Sequence, residues 1–424
     1  VMRSVIYLSK NSIVRVAGPA SLKVLSGKIS ILGKIMTQGE SIVISLYRSY
    51  PIYSLEESSA EVSLGEGGYV EYPREIDETT LEWFEVVDKI IERGTRIVVI
   101  GPIESGKTTF SALAVNKALA KGLRACVVDA DIGQQDIALP SFVSLACPKE
   151  PVIWLRELFP DEIRIIGSLT PSQYSSRIIG AVIDLVERAV SSGAEVIIIN
   201  TDGWINHPSA IEMKLDLARY VKATHLIVLQ RDQIVIPFNL SLETMKIVRL
   251  SPPQNVKTRS REDRKILRAY AYKKFFDGAS LRQEDLSKML LIGSCLFSGD
   301  QLRPEMISEF EKILGTRIDY GSAIENSIYL YVRHEKIPQD KQFFKYQGYE
   351  VNVIQAGSER GLIVSILDKN LREVAPGILD EIRPSEKIIK ILTKYAGEIG
   401  GVVIGRVKLD SAYDDSIRYT RCPI

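Results

Sequence analysis

From residue 95 the apolar positions fall into short unbroken runs separated by longer stretches of helical period. Thr95–Ile100, Ala125–Asp129, Glu195–Asn200, Leu226–Leu229 and Lys246–Leu250 read as buried strands, with helical patterns over 107–121, 175–192 and 208–222. Continuous apolar strands alternating with helices predict an α/β core with a mostly parallel sheet, whose ligands sit at the carboxyl ends of the strands.

Residues 1 to about 75 have a different rhythm. Alternating runs such as Ser12–Ala17 and Ser41–Leu46 are punctuated at Gly18-Pro19, Gly27, Gly33 and Gly39, the pattern of a small β domain. Tyr72-Pro73 breaks it, and Ile76–Arg93, with Trp83, Phe84, Val87 and Ile90-Ile91, has helical spacing. From about 290 a mixed pattern returns, with a helix near Pro304–Leu314 and β-like runs at Ser327–Val332, Glu350–Gln355, Gly361–Leu367 and Gly401–Val407. The expected division is 1–75 for an N-terminal β-rich domain, 76–290 for the core and 291–424 for a C-terminal mixed α/β domain. A chain of 424 residues exceeds what one hydrophobic core usually supports.

Charge changes this picture only locally. With 54 Lys+Arg against 53 Asp+Glu, contact with nucleic acid must come from a patch and not from the whole chain. Lys257–Lys274 is such a patch, eight basic residues against two acidic ones. It reads either as a cationic lid over a phosphate or as a solvated helix face. No apolar run approaches the length of a membrane span, and the apolar segment after Val1-Met-Arg-Ser is too short for a signal peptide, so a cytoplasmic protein with no membrane partner is expected. Cys126, Cys147, Cys295 and Cys422 lie far apart without a CxxC pair, which argues against both structural zinc and a disulfide framework. His207, His225 and His334 form no metal or triad pattern, and His225 opens an apolar run like a strand-end residue. Catalysis must therefore use carboxylates, lysine, arginine and a metal.

The candidate chemistry begins at Gly101-Pro102-Ile103-Glu104-Ser105-Gly106-Lys107-Thr108-Thr109, which fits GxxxxGK[ST] between a predicted strand and a predicted helix. Such a loop curls its amides and the following helix N-terminus round a polyphosphate. Lys107 would neutralise the β/γ oxygens, and the Thr108 hydroxyl would hold Mg²⁺. Asp129 and Asp131, in Asp129-Ala-Asp131-Ile-Gly133-Gln134, emerge at the end of the next strand, where an acid can hold the metal or accept a proton. Asp202, in Asn200-Thr-Asp202-Gly203-Trp204, is a rival metal-site acid. Trp204 is either a platform for stacking a nucleobase or a core or hinge side chain. Thr170-Pro171-Ser-Gln173 either clamps a substrate or caps the helix that begins near Ser175.

Taken together, GxxxxGKT, DxDxGQ, TPxQ, NTxGW and RSxxxR, in this order over about 95–270, resemble the polynucleotide 5′-hydroxyl kinase family, which includes the pre-mRNA cleavage-complex kinase, the ribosomal-RNA-processing kinases and archaeal relatives. The resemblance implies a P-loop kinase core between a β-rich N-terminal and a smaller C-terminal domain, and transfer of the ATP γ-phosphate to the 5′-hydroxyl of RNA, with DNA as a second acceptor. It implies that Lys107 and Thr108 hold the ATP phosphates and Mg²⁺. Asp131 would orient and deprotonate the 5′-hydroxyl, with Gln134 beside metal and substrate. Thr170-Pro171 matches the substrate clasp, Trp204 the stacking aromatic, and Arg259 and Arg264 the arginines of a lid at about 254–275. Ile205-Asn-His207 lacks the family's glycine-rich continuation, and the clasp ends in Gln173-Tyr174. Two other readings of the same residues are an ATP-bound scaffold that recruits RNA-processing proteins, and an ATPase switch using Asp202 as its metal acid.

Overall fold

The computed structural model describes residues 2–74, 78–230, 243–254, 258–333, 337–419 and 422–424. Ile76, at the expected start of the first helix, Lys257 of the basic stretch and His334 lie outside the described residues. The chain forms two compact units, the first made of Val1–Ala138, Val143–Glu162 and Thr170–Arg264, the second of Leu139–Phe142, Ile163–Leu169 and Lys265–Ile424.

In the first unit the apolar runs form the expected elements: helix α1 (Thr80–Ile90), strand β1 (Arg96–Ile100), helix α2 (Lys107–Ala120), strands β2 (Ala125–Ala130) and β3 (Phe142–Ala146), helix α3 (Ser175–Ser191), strand β4 (Val196–Thr201), helix α4 (Pro208–Tyr220), and strands β5 (His225–Leu229) and β6 (Lys246–Leu250). Six strands of the sheet run in the order β3-β2-β4-β1-β5-β6. The pairs β2/β4, β4/β1, β1/β5 and β5/β6 are parallel. β3 departs from the parallel pattern, running antiparallel to β2 with Val127 opposite Ala146. Parallel register aligns Asp129 with Asn200 and Val99 with Asn200, so β1, β2 and β4 end together at one edge. This is why the phosphate loop, the DxDxGQ stretch and the NTxGW stretch, far apart in sequence, emerge side by side.

The N-terminal strands form two sheets, one containing Ala20–Ser26 and Ser58–Leu64, the other Ile13–Ala17 and Ser49–Ser54. They share a hydrophobic core with the P-loop region: Ile29, Ile31 and Leu32 pack in the same cluster as Leu113, Val115 and Ile198. Asn116 of α2 ties the two parts together, donating from Nδ2 to the carbonyls of Leu32 (2.8 Å) and Val152 (2.7 Å).

Helix α5 (Arg261–Phe276) follows, and after it the second unit holds a helix at Pro304–Leu314 and strands including Ser327–Val332, Tyr349–Gln355, Leu362–Leu367 and Gly401–Lys408. Within this unit Asp415 accepts from Arg268 Nε at 2.6 Å and from the buried Tyr272 hydroxyl at 3.1 Å, anchoring α5.

The expectation of no disulfide framework is corrected. Cys126 is bonded to Cys147 and Cys295 to Cys422, with Cα separations of 4.1 and 5.8 Å. The antiparallel β2/β3 pairing brings the first two together, a contact that linear spacing cannot reveal. The second pair meets because the chain end returns beside Cys295, whose amide donates to the Ile424 carbonyl at 2.7 Å. Among the described residues no helix is long and apolar enough to cross a membrane.

Candidate active site

The phosphate loop joins β1 to α2, and its second glycine is required by geometry. Gly106 has φ +91°, and a Cβ there would lie 2.7 Å from the Trp83 ring and 3.1 Å from Pro253. Trp83 is fully buried, edge-on to Phe110 of α2, and its indole donates to the Ser251 carbonyl at 3.0 Å. Lys107 opens α2 and is buried; its Nζ donates to the carbonyls of Gly101 (2.9 Å) and Pro102 (2.7 Å). Burial lowers its pKa to about 8, against the opposing pull of Asp131 and Asp202. The Ser105 hydroxyl is buried in the same loop and has no hydrogen-bond partner among the described residues, and Thr108 is half-buried. A cradle with an orphaned hydroxyl and a buried ammonium fits a polyphosphate.

The three candidate acids differ in how their oxygens are used. Asp129 is fully buried and accepts from Asn200 Nδ2 (2.9 Å), the Asp131 amide (3.2 Å) and the Asp136 amide (2.9 Å), so both of its oxygens are engaged. Burial, with Asp136 and Asp131 adding repulsion, pushes its pKa up to about 7. Asp202 has one oxygen on the Trp204 amide (2.8 Å) and the other on Lys214. Asp131 accepts the amides of Gly133 (3.2 Å) and Gln134 (2.9 Å) on Oδ1 alone, so among the described residues it is the acid with an oxygen left over. Burial pushes its pKa up to about 6, Asp202 adds to this, and Lys107 acts against it. Such a carboxyl is poised to take a proton near neutral pH. Gln134 turns its Nε2 to the Gly133 carbonyl at 2.8 Å.

Gly203 lets the third stretch touch the phosphate loop: a Cβ there would lie 2.5 Å from Ile103 Cγ1 and 2.8 Å from the Ile103 amide nitrogen. Trp204 follows, half-buried rather than in the core, and its ring stacks on His207 with centroids 6.1 Å apart and planes at 17°. His207 in turn caps α4, Nδ1 accepting the Ser209 amide at 3.2 Å. Thr170 is exposed and Pro171 half-buried in the turn that enters α3, where the Tyr174 amide donates to the Pro171 carbonyl at 2.9 Å.

The lid arginines converge on Glu104 of the phosphate loop. Its Oε1 accepts the Arg259 amide (2.8 Å) and the Arg264 guanidinium (3.0 Å). The Arg259 guanidinium lies toward a second cluster, with Nη2 3.4 Å from the Tyr47 carbonyl. Burial, then Arg48, lower its pKa to about 10, with Asp136 opposing. Asp136 bridges Arg48 (3.1 Å) and Arg156 (3.0 Å), and both guanidiniums cover the Trp154 ring at 4.4 and 5.0 Å. Lys107 and Asp131 thus act on one another, while Arg264 is bonded to Glu104 and the Arg259 guanidinium lies toward Tyr47. Sequence reasoning missed Arg48, Asp136, Arg156, His207 and the roles of Glu104 and Lys214. For Lys214 a signal existed: it occupies an inward position in the α4 stripe Ala210, Met213, Leu217, Ala218.

Residues 101–278 match the family model described as the mRNA cleavage and polyadenylation factor CLP1 P-loop. The chain is 28% identical over 330 residues to a polyribonucleotide 5′-hydroxyl-kinase of Pyrococcus abyssi, covering 76% of this chain and 90% of that one. A protein of the same name from Methanocaldococcus jannaschii is 27% identical over 80% of this chain and 93% of its own length. Among solved structures, a chain of the wild-type Clp1p–Pcf11p complex superposes with a TM-score of 0.65 at 11% identity, covering 96% of this chain and 98% of that one. The motifs, their meeting at one sheet edge and these relatives agree: over residues 101–278 the chain is similar to the CLP1 P-loop family.

Proposed function

We propose that this protein is an ATP-dependent polynucleotide 5′-hydroxyl kinase that transfers the γ-phosphate of ATP to the 5′-hydroxyl end of RNA, with DNA as a second acceptor. The observation that carries this reading is the pairing of a buried lysine in a phosphate loop with Asp131, whose pKa is raised to about 6 and which, among the described residues, keeps one oxygen uncommitted. The names of the archaeal relatives supply the acceptor.

In this mechanism the loop amides, Lys107 and Thr109 bind the triphosphate. Asp131 aligns the 5′-hydroxyl and takes its proton as the oxygen–phosphorus bond forms and the bond to the β-phosphate oxygen breaks, releasing ADP. Trp204 stacks the terminal base, Gln134 and the Thr170-Pro171 turn contact the end of the strand, and Arg259 and Arg264 leave Glu104 to stabilise charge on the transferring group. Among the described residues no group of three carboxylate, histidine or cysteine side chains forms a metal cage. Thr108 and Asp131 would hold Mg²⁺ through their oxygens, with Asp129 behind them. When bound, the ion supplies charge neutralisation for the phosphates.

The expected division remains a β-rich N-terminal domain, a kinase core with its lid and a C-terminal mixed domain. The expected location is the cytoplasm, and RNA-processing proteins are the expected partners. A second reading, an ATP-bound scaffold without turnover, draws on the engagement of the lid arginines with Glu104. Incubation with γ-labelled ATP and a 5′-hydroxyl oligoribonucleotide separates the two: label moves to the oligonucleotide only if the protein is a kinase.

A further inference from the structure

Lys214 is completely buried in the inward stripe of α4, between Met213 and Leu217. An apolar residue there would pack the helix without the cost of desolvating an ammonium, so packing alone does not account for a lysine. Its partner is Asp202, itself 5% exposed, which lies immediately after β4. One Asp202 oxygen accepts from Lys214 Nζ, and the other accepts the Trp204 amide at 2.8 Å. A continuous set of bonds therefore runs from the α4 side chain, through one carboxylate, to the backbone that carries the Trp204 ring. The next residue in the chain, Gly203, is pressed against Ile103 of the phosphate loop, so this backbone has little room to shift in that direction.

We propose that Lys214 is a positioning residue for the nucleic-acid end: it clamps Asp202, and Asp202 fixes the Trp204 backbone and hence the platform on which the terminal base stacks. The inference rests on the stacking role given to Trp204 above. It also commits both Asp202 oxygens to the protein, leaving Asp131 as the acid open to substrate.

The test is a double-mutant cycle read by equilibrium binding of a 3′-fluorescent, 5′-hydroxyl oligoribonucleotide to the full chain, which needs no turnover. Trp204→Ala, Lys214→Met, the two combined, and Asp202→Asn/Lys214→Met are compared with the parent protein. The last variant removes both buried charges together and so guards against loss of fold. Lys214→Met is expected to weaken binding roughly fivefold to tenfold, part of the value of one stacked base. In the Trp204→Ala background it should add nothing, and Asp202→Asn/Lys214→Met should bind as weakly as Lys214→Met. An equal further loss in the Trp204→Ala background, or parent-like binding by Asp202→Asn/Lys214→Met, would overturn the proposal. Label transfer from γ-labelled ATP is measured on the same parent preparation; its failure would count against the kinase reading and leave the binding cycle to judge Lys214. Parent-like binding by Trp204→Ala would instead remove the stacking role itself.

Discussion

Glu104, inside the phosphate loop, holds the Arg264 guanidinium at 3.0 Å. If Arg264 serves the transferring phosphoryl group as proposed, a bound triphosphate must draw it away from this carboxylate of the phosphate loop. Arg264→Ala should lower kcat on the order of 10³-fold while changing the KM for ATP far less, because the contact is made mainly in the transition state. Single-turnover transfer at saturating ATP checks this. A change confined to the KM for ATP would make Arg264 a ground-state ligand only.

Trp204 is half-buried with a ring stacked on His207, so its apolar face is already ordered before substrate arrives. Trp204→Ala should raise the KM for a 5′-hydroxyl oligonucleotide roughly fivefold to 150-fold, the range of one base stacked on an aromatic, with kcat nearly constant. An unchanged KM would remove Trp204 from the site.

Asp131, with its pKa pushed up to about 6 by burial and by Asp202, can serve as the proposed base only when ionised. A raised pKa in an acid means the active form is lost as pH falls through that value. The kcat/KM for transfer should therefore rise with pH to about 6 and level off above it. Asp131→Asn should abolish transfer at every pH while retaining ATP binding. A limb near pH 4, the usual carboxylate range, would assign the proton to another group.

Much of this arrangement was legible in the chain, for physical reasons that differ from part to part. The buried strands and their helices announce themselves because parallel strands covered on both faces must be apolar throughout, and the phosphate loop because glycine is needed where Gly106 meets Trp83. The meeting of Asp131 with Lys107 follows from strand order, which a P-loop implies. Contacts set by antiparallel or long-range pairing were not legible: Cys126 faces Cys147 only because β3 turns back on β2. The Arg48–Asp136–Arg156 cluster joins residues 88 and 20 positions apart, with no local pattern to mark it.

The Cys126–Cys147 bond joins positions 21 residues apart, and restricting that loop in the unfolded chain is worth about 3 kcal/mol. Cys147→Ser should lower the Tm measured by scanning calorimetry, and a reductant, which opens both disulfides, should lower the Tm of the parent protein by more. Equal Tm values with and without reductant would show that neither disulfide contributes to stability.

Kinase activity is measured by incubating the purified protein with γ-labelled ATP, Mg²⁺ and an oligoribonucleotide bearing a 5′-hydroxyl, beside the same strand already carrying a 5′-phosphate and beside a Lys107→Ala protein. A 5′-hydroxyl kinase places label on the 5′-hydroxyl strand alone, and none with Lys107→Ala. ATP hydrolysis without label on the strand, or label that does not depend on a free 5′-hydroxyl, would contradict it.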